Sequence, residues 1–150
     1  MVKFFAVVVL YNTFVNDSIT IRNLKRIHRH SIDIIVVDNS TQSLNNEQET
    51  KMNNWIYLSM NGNQGLSKAY NRALDYLKDK RGIVIWFDDD TNVTQEYFDS
   101  LEQNAKEFKD FDIFVPVIQG QDGKYWSPNE ARFFKNKQIK TCGQYIPNEK

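Results

Sequence analysis

Asp88, Asp89 and Asp90 stand side by side directly behind the apolar run Ile83–Phe87. Adjacent negative charges repel, so this arrangement adds nothing to the stability of a strand end, and a compensating positive charge is expected opposite it. Carboxylates grouped at the end of a strand suit a hard divalent cation, Mg²⁺ or Mn²⁺. Such a cation is held by one or two protein oxygens and completed by ligand phosphates. It would cancel the repulsion and attract a diphosphate. The plainer chemistry is a solvated turn whose acids cap the helix that follows.

A second stretch carries related chemistry. In NGNQGLSKAYNRAL, residues 61–74, Gly62 and Gly65 let the backbone turn tightly and approach a ligand closely. They lead into a helix expected to start near Leu66, whose first amides favour an anion. Ser67, Lys68, Asn71 and Arg72 fall on or near its first two turns. The alternative is an ordinary loop and cap, with Lys68 and Arg72 as solvated charges.

Positioning these groups requires a scaffold, and the chain alternates two kinds of segment. Phe4 to Leu10, Asp33 to Val37, Trp55 to Ser59, Ile83 to Phe87 and Asp112 to Ile118 are short and rich in β-branched and aromatic residues. Such near-continuous apolar runs predict strands buried on both faces, as in a parallel sheet. Leu66, Ala69, Tyr70, Ala73, Leu74 and Leu77 repeat at helical spacing, as do Tyr97, Phe98, Leu101, Ala105 and Phe108. Thr94 and Glu96 mark the start of the second of these helices. Ile21, Leu24 and Ile27 predict a shorter helix that either Asp17 or Ser18 caps.

Alternation of this kind predicts an α/β fold of βαβ units, a mostly parallel central sheet with helices on both faces. The loops leaving the carboxyl ends of its strands then share one rim, where ligands bind. Those loops begin at Tyr11-Asn12, Asp38-Asn39-Ser40, Met60 to Asn63 and Asp88 to Asp90. Residues 119–123 (QGQDG) read as a turn, and the expected organisation is one α/β domain over 1–118 with a hairpin or loop extension over 119–150.

Composition sets the outer limits. With 150 residues, 41% hydrophobic and 25% charged, the chain suits one soluble domain. Its 19 basic and 19 acidic side chains cancel, which argues against a general grip on nucleic acid. The single cysteine, Cys142, makes no internal disulfide, so a reducing cytoplasm is expected. No apolar run reaches the roughly 20 residues that cross a bilayer, so any contact with the inner face of a membrane would be peripheral. The apolar N-terminus reads as a strand and not as a signal peptide.

Taken together, VVVLYN (residues 7–12), VVDNS (36–40), NGNQGLSKAYNRAL and WFDDDT (86–91) occur in an order and at spacings that resemble family 2 glycosyltransferases. The likeness is to the nucleotide-binding half of their Rossmann-like GT-A fold, and to rhamnosyltransferase-like members in particular, over residues 2–118. It implies that Tyr11, with Asn12 beside it, stacks on a nucleotide base and that Asp38 hydrogen-bonds that base. It implies that Asn63, Gly65, Asn71 and Arg72 line the base and sugar-phosphate pocket. The family's Asp-x-Asp falls on Asp88 and Asp90, with Asp90 the principal metal ligand, Asp88 nearer the ribose or sugar, and Asp89 among the donor-binding residues. An aromatic face suits a planar base, and a carboxylate accepts the N3–H of uracil or thymine. Tyr11 as a core residue and Asp38 as the cap of a turn remain the plain alternatives.

The resemblance also implies what is missing. Family members continue well past this length, and the later part supplies the acceptor platform and the carboxylate that deprotonates the acceptor, so that part is expected to be truncated or absent. Asp110, Asp112, Asp122, Glu130 and Glu149 follow the acidic trio, none in a recognisable motif, and no general base is assigned; Glu130, after Trp126 and Pro128, is the weak candidate. Tyr125 and Trp126 offer a sugar-stacking or hairpin-packing surface. Lys25 to His30 (KRIHRH) form a basic helix end, and neither His28 nor His30 has a partner at metal-ligand spacing. The expected activity is metal-dependent, inverting transfer of a sugar from a UDP- or dTDP-linked donor to a hydroxyl of a saccharide or lipid-linked acceptor. A partner chain or oligomer would complete the site if this chain alone does not. The alternatives are a non-catalytic donor-binding module and a phosphatase of the haloacid-dehalogenase type. The latter motif, Asp-x-Asp-x-Thr/Val, has Asn92 at its fifth position here and normally follows a first strand.

Overall fold

The structure, a computed structural model, describes residues 2–28, 31–120, 122–127, 129–131 and 136–138, the last three groups from 125 onward as backbone alone. His30, Cys142 and Glu149 lie outside the described residues, as do the side chains of Tyr125, Trp126 and Glu130. The chain divides into two compact units, Met1–Asn104 and Ala105–Lys150.

The first unit is built on four parallel strands: β1 (Lys3–Leu10), β2 (Ser31–Asp38), β3 (Ile56–Ser59) and β4 (Ile83–Phe87). Their order across the sheet is β3-β2-β1-β4. The chain therefore winds outward from β1 to β3 and then crosses back to lay β4 on the other side of β1. That reversal opens a crevice between the ends of β1 and β4, the switch point at which open α/β sheets bind ligands. Register aligns the rim: Leu10 pairs with Asp38, and Asp38 with Ser59. β4 stops earlier, with Phe87 opposite Val8, so the acidic stretch begins beside the last turns of β1 rather than beyond them.

Helices cover both faces of the sheet. α3 (Leu66–Leu77) sets Ala69, Ala73 and Leu77 against Phe5, Val7, Ile35, Val37 and Leu58. Two alanines at i and i+4 let the helix axis come close to the sheet, and the large side chains come from the strands. On the opposite face Phe98 of α4 (Gln95–Glu107) meets Phe4 edge to face, with ring centroids 5.4 Å apart. Gly82 precedes β4 at a point where a Cβ would lie 2.6 Å from the Lys3 carbonyl oxygen and 2.8 Å from the Phe5 ring. Only glycine allows β4 to enter the sheet there.

Two short helices join the strands. α1 (Ile19–Leu24) is capped by Ser18, whose Oγ accepts the Ile21 N–H at 3.2 Å, which settles the choice between Asp17 and Ser18. Ile27 falls just past its end. α2 (Asn46–Met52) was not predicted, because NEQETKM has no apolar period. Its buried residues, Asn46 and Thr50, are themselves polar.

One predicted strand is corrected. Residues 112–117 are irregular, and only β5 (Ile118–Gln119) pairs, antiparallel to β6 (Tyr125–Ser127), within the second unit. Pro116 has no N–H to give a ladder, and Ile113 and Val115 are exposed. The turn between these strands forms as expected, with Gly123 at φ 76° and its N–H on the Gly120 carbonyl at 3.0 Å. β7 (Asn129–Ala131) and β8 (Asn136–Gln138) make a second antiparallel pair. No helix among the described residues is long and apolar enough to cross a membrane.

Candidate functional site

The acidic loop is held by its backbone. Thr20, buried at the start of α1, bonds through its Oγ1 to the Asp88 and Thr91 carbonyls and accepts the Thr91 N–H at 2.9 Å. The Asp89 carbonyl takes the Ser18 hydroxyl at 2.7 Å and the Thr20 N–H at 3.2 Å. Two small hydroxyl residues at the start of α1, its cap Ser18 and Thr20, thus hold the main chain at Asp88, Asp89 and Thr91. No described residue donates a hydrogen bond to the carboxylates themselves, and none forms an ion pair with them. The positive charge expected opposite the trio is therefore not supplied by any described side chain.

These carboxylates open onto a cleft of about 410 Å³ lined by Val9, Tyr11, Asn39, Asn63, Leu66 and Asp88 to Asp90. Tyr11 is 52% exposed at its wall, which rules out the core role. Among the described residues no three His, Cys, Asp or Glu side chains converge closely enough to cage a metal ion. Carboxylates that line one cleft and that no described residue engages instead fit a cation that takes one or two protein oxygens and fills its shell with phosphate and water.

Asp38 is wired in the opposite way. It is 8% exposed, its Oδ1 accepts the Ser40 N–H at 3.0 Å, and its Oδ2 accepts the Asn46 amide at 3.1 Å and the Tyr57 hydroxyl at 3.0 Å. Burial, and then the Asp38 charge and hydrogen bond, push the Tyr57 phenol up to about 12. Three donors occupy three of the roughly four lone-pair sites of a carboxylate, leaving one for a ligand. Asp38 and Tyr57 floor a second, polar cleft of about 770 Å³, walled by the 40–48 segment, Ser59, Asn61 and Gly62. The structure therefore divides the expected base-binding pair, with Tyr11 in one cleft and Asp38 in the other. Between them run Asn39 and Ser40.

Asparagines tie the loops of the rim together. Asn12, at φ 52°, spends its Oδ1 on Thr41 and Gln42 and gives its N–H to the Ser40 hydroxyl at 2.9 Å. Buried Asn39 donates to the Asn63 Oδ1 at 3.1 Å and accepts the Gln64 N–H at 2.8 Å. Asn63 in turn accepts the Gly65 N–H at 3.0 Å, and Gly65, at φ 85°, starts α3. Asn63 and Gly65 thus belong to a built rim. Asn71 and Arg72 are exposed on the second turn of α3 and line neither cleft.

The family model described as "Glycosyl transferase family 2" matches residues 6–148. The chain belongs to glycosyl transferase family 2. Among solved structures, this family 2 chain resembles residues 1–349 of S. aureus TarS, with a TM-score of 0.55 and 25% identity over 70% of its own length. A longer S. aureus TarS structure superposes with a TM-score of 0.52 at 19% identity over 71% of the chain, a likeness of fold. The chain spans 32% of the first TarS structure and 20% of the second. Comparison with the curated proteins finds no match.

Four residues of this family 2 rim were not singled out from sequence: Thr20, Asn39, Asn46 and Tyr57. Their common signal is structural, since all but Tyr57 are buried polar residues and each bonds to the acidic loop, the β3–α3 loop or Asp38. Asn39 alone had a visible cue, its place directly after Asp38 in VVDNS. Of the basic cluster, Lys25 is locally engaged: it donates to Asn16 at 2.7 Å and lies over the Trp55 ring at 4.9 Å.

Proposed function

We propose that this chain binds a nucleoside-diphosphate sugar at the β1–β4 switch point and transfers its sugar to a hydroxyl of a saccharide or lipid-linked acceptor. The observation that carries the reading is the cleft in which half-exposed Tyr11 shares a wall with Asp88 to Asp90, whose carboxylates no described residue engages. The diphosphate end belongs with Asp88 and Asp90. The base belongs on the Tyr11 ring, in the cleft that holds the diphosphate; the contact of its N3–H with the one spare lone pair of Asp38, which would suit uracil or thymine and hence UDP- or dTDP-linked donors, requires the base to reach past Asn39 and Ser40 into the neighbouring cleft. Asn63 and Gly65 carry the backbone that borders the sugar-phosphate.

Asp90, with Asp88, would hold a divalent cation, Mg²⁺ or Mn²⁺, which when bound neutralises the charge of the departing diphosphate. In the reaction the bond from the anomeric carbon to the diphosphate breaks, a bond to the acceptor oxygen forms, and the acceptor proton passes to a base. Inversion at that carbon is part of the proposal, as is a cytoplasmic setting with peripheral contact at the inner face of a membrane. The pinned backbone of the acidic loop would keep Asp88 to Asp90 on the cleft without reorganisation.

A thermal-shift panel of UDP, dTDP, GDP and CDP, each with and without Mn²⁺, tests this reading. UDP or dTDP should raise the melting temperature by several degrees, and more with Mn²⁺ than without. No shift with any nucleotide at millimolar Mn²⁺ would sink it. Incubation with labelled UDP- and dTDP-sugars and saccharide acceptors then separates a transferase from a non-catalytic donor-binding module. Turnover that disappears in Asp90→Ala identifies the transferase, and metal-dependent binding without turnover identifies the module. Release of phosphate from a monoester through an aspartyl intermediate would instead establish the phosphatase.

A further inference from the structure

We infer that Asn46 is a positioning residue for base recognition, holding the Asp38 carboxylate at a fixed place relative to the loop that carries Tyr11. The inference rests on the nucleotide-sugar reading above and adds to it a residue that acts through Asp38. Asn46 opens α2 and is buried, 2% exposed, and both ends of its amide are engaged. Its Oδ1 accepts the Val15 N–H at 2.9 Å, while its Nδ2 donates to the Thr13 carbonyl and to Asp38 Oδ2, each at 3.1 Å. Thr13 in turn donates its hydroxyl to the Tyr11 carbonyl at 3.2 Å. One buried amide therefore joins the segment behind Tyr11 to the carboxylate at the end of β2. The pattern is specific to an amide in this orientation. A reversed amide, or an aspartate, would set an oxygen against the Thr13 carbonyl and the Asp38 carboxylate.

The arrangement decides which lone pair of Asp38 remains. Oδ2 takes the Asn46 amide and the Tyr57 hydroxyl, at 3.1 and 3.0 Å, so both its lone pairs are filled. Oδ1 takes only the Ser40 N–H among the described donors, at 3.0 Å, and the spare acceptor is therefore on Oδ1. With Oδ2 anchored from two elements, α2 and β3, the carboxylate is held against rotation and Oδ1 offers one lone pair in one direction. A ligand group that meets it must be a donor. The N3–H of uracil or thymine meets that requirement, whereas the bare N3 of cytosine would face it lone pair to lone pair. One planar base can stack on Tyr11 and reach Asp38 together only if the two stay in register. Asn46 bonds to both elements through a single side chain, and so sets that register.

The test measures calorimetric binding of UDP, of UDP methylated at N3 and of inorganic pyrophosphate to the full chain at millimolar Mn²⁺. The methyl group removes the donor that Oδ1 accepts, and pyrophosphate reports on the acidic loop alone. The parent should bind UDP about tenfold more tightly than the N3-methyl form. In Asn46→Ala, UDP affinity should fall about tenfold and the preference should shrink to about threefold or less, with pyrophosphate affinity within about twofold of the parent. Tyr57→Phe, which takes one donor from Oδ2 and leaves the Tyr11 segment untouched, should give an intermediate preference. If Asn46→Ala does not fold by circular dichroism, Tyr57→Phe decides: a reduced preference supports the inference and an unchanged one overturns it. A preference that survives intact in folded Asn46→Ala also overturns it, because a merely structural amide weakens both nucleotides alike. So does a loss of pyrophosphate affinity in step with UDP. A parent that binds both nucleotides equally overturns the inference while the nucleotide-sugar reading stands, and a parent that binds neither removes that reading and the inference with it.

Discussion

Asp38 and the trio Asp88 to Asp90 stand on one rim of one sheet, yet their surroundings are opposite. The Asp38 carboxylate is buried and takes three protein donors, from Ser40, Asn46 and Tyr57. Around the trio the protein's hydrogen bonds go to main-chain carbonyls and to the Thr91 N–H, through Ser18 and Thr20, and no described residue engages the carboxylates. A buried charge is tolerable only when its lone pairs are satisfied, whereas an exposed one can be left for a ligand. The difference separates two tasks that the residue type alone does not: Asp38 organises the rim and offers one remaining acceptor site, and the trio is positioned but unspent.

The comparison breaks most visibly at Asp38. Asp38→Ala strands a buried N–H, an amide and a phenol together, and should cost about 3 kcal/mol in urea unfolding. Asp90→Asn removes a carboxylate that nothing in the described structure needs. It should leave unfolding within about 0.5 kcal/mol of the parent while abolishing the Mn²⁺-dependent part of the UDP thermal shift. Equal destabilisation by the two substitutions would show that the trio, too, is structural.

A second measurement sharpens the contrast from the backbone side. Thr20→Val keeps the shape but removes the hydroxyl that holds the Asp88 and Thr91 main chain, leaving the Thr91 N–H without its partner. Unfolding should cost about 2 kcal/mol, and UDP affinity in Mn²⁺ should fall about tenfold because the carboxylates lose their fixed course. If affinity held while stability fell, positioning of the loop would not matter to the ligand.

Legibility from sequence divides along the same line. The apolar runs of β1, β2 and β4 and the stripe Ala69, Ala73, Leu77 of α3 announced themselves, because burial on a sheet imposes a pattern on neighbouring residues. The segment 112–118 had the same composition and failed, since Pro116 removes a ladder donor that composition does not count. α2 carried no pattern, since its buried face is Asn46 and Thr50, and a polar contact face leaves no apolar period to read. At the site, Tyr11 and the trio were readable as residue types at strand ends. That Asp38 would be engaged by Asn46 and Tyr57, eight and nineteen positions away, depends on tertiary placement and on no local spacing.

Gly65 offers a smaller test of how far rim geometry depends on backbone. It begins α3 at φ 85° with no atom within 4 Å of where a Cβ would sit, so an added methyl meets no neighbour and only the backbone conformation resists it. Gly65→Ala should therefore cost about 1 kcal/mol, through strain alone. A larger loss would mean that the Asn39–Asn63 clasp moves with it.

The mildest effect expected at ordinary pH belongs to Tyr57, and it probes the buried, protein-bonded side of the comparison directly. Its phenol is raised to about 12 from an ordinary 10, by burial first and by Asp38 second. Below pH 10 both folded and unfolded chains hold the proton, so this group makes stability no steeper with pH. Between 10 and 12 the unfolded chain releases the proton while the folded chain keeps it, so stability is lost as pH rises through that window. Tyr57→Phe should cost about 1 kcal/mol at neutral pH, for one hydrogen bond to a carboxylate. It should also flatten the alkaline limb of a urea-midpoint profile measured against the parent. Asp38→Asn removes the charge but retains an acceptor, so in that variant the phenolate absorbance of Tyr57 should appear at lower pH than in the parent. A Tyr57 titration unmoved by Asp38→Asn would mean that burial alone holds the proton and that the two side chains are neighbours without being coupled.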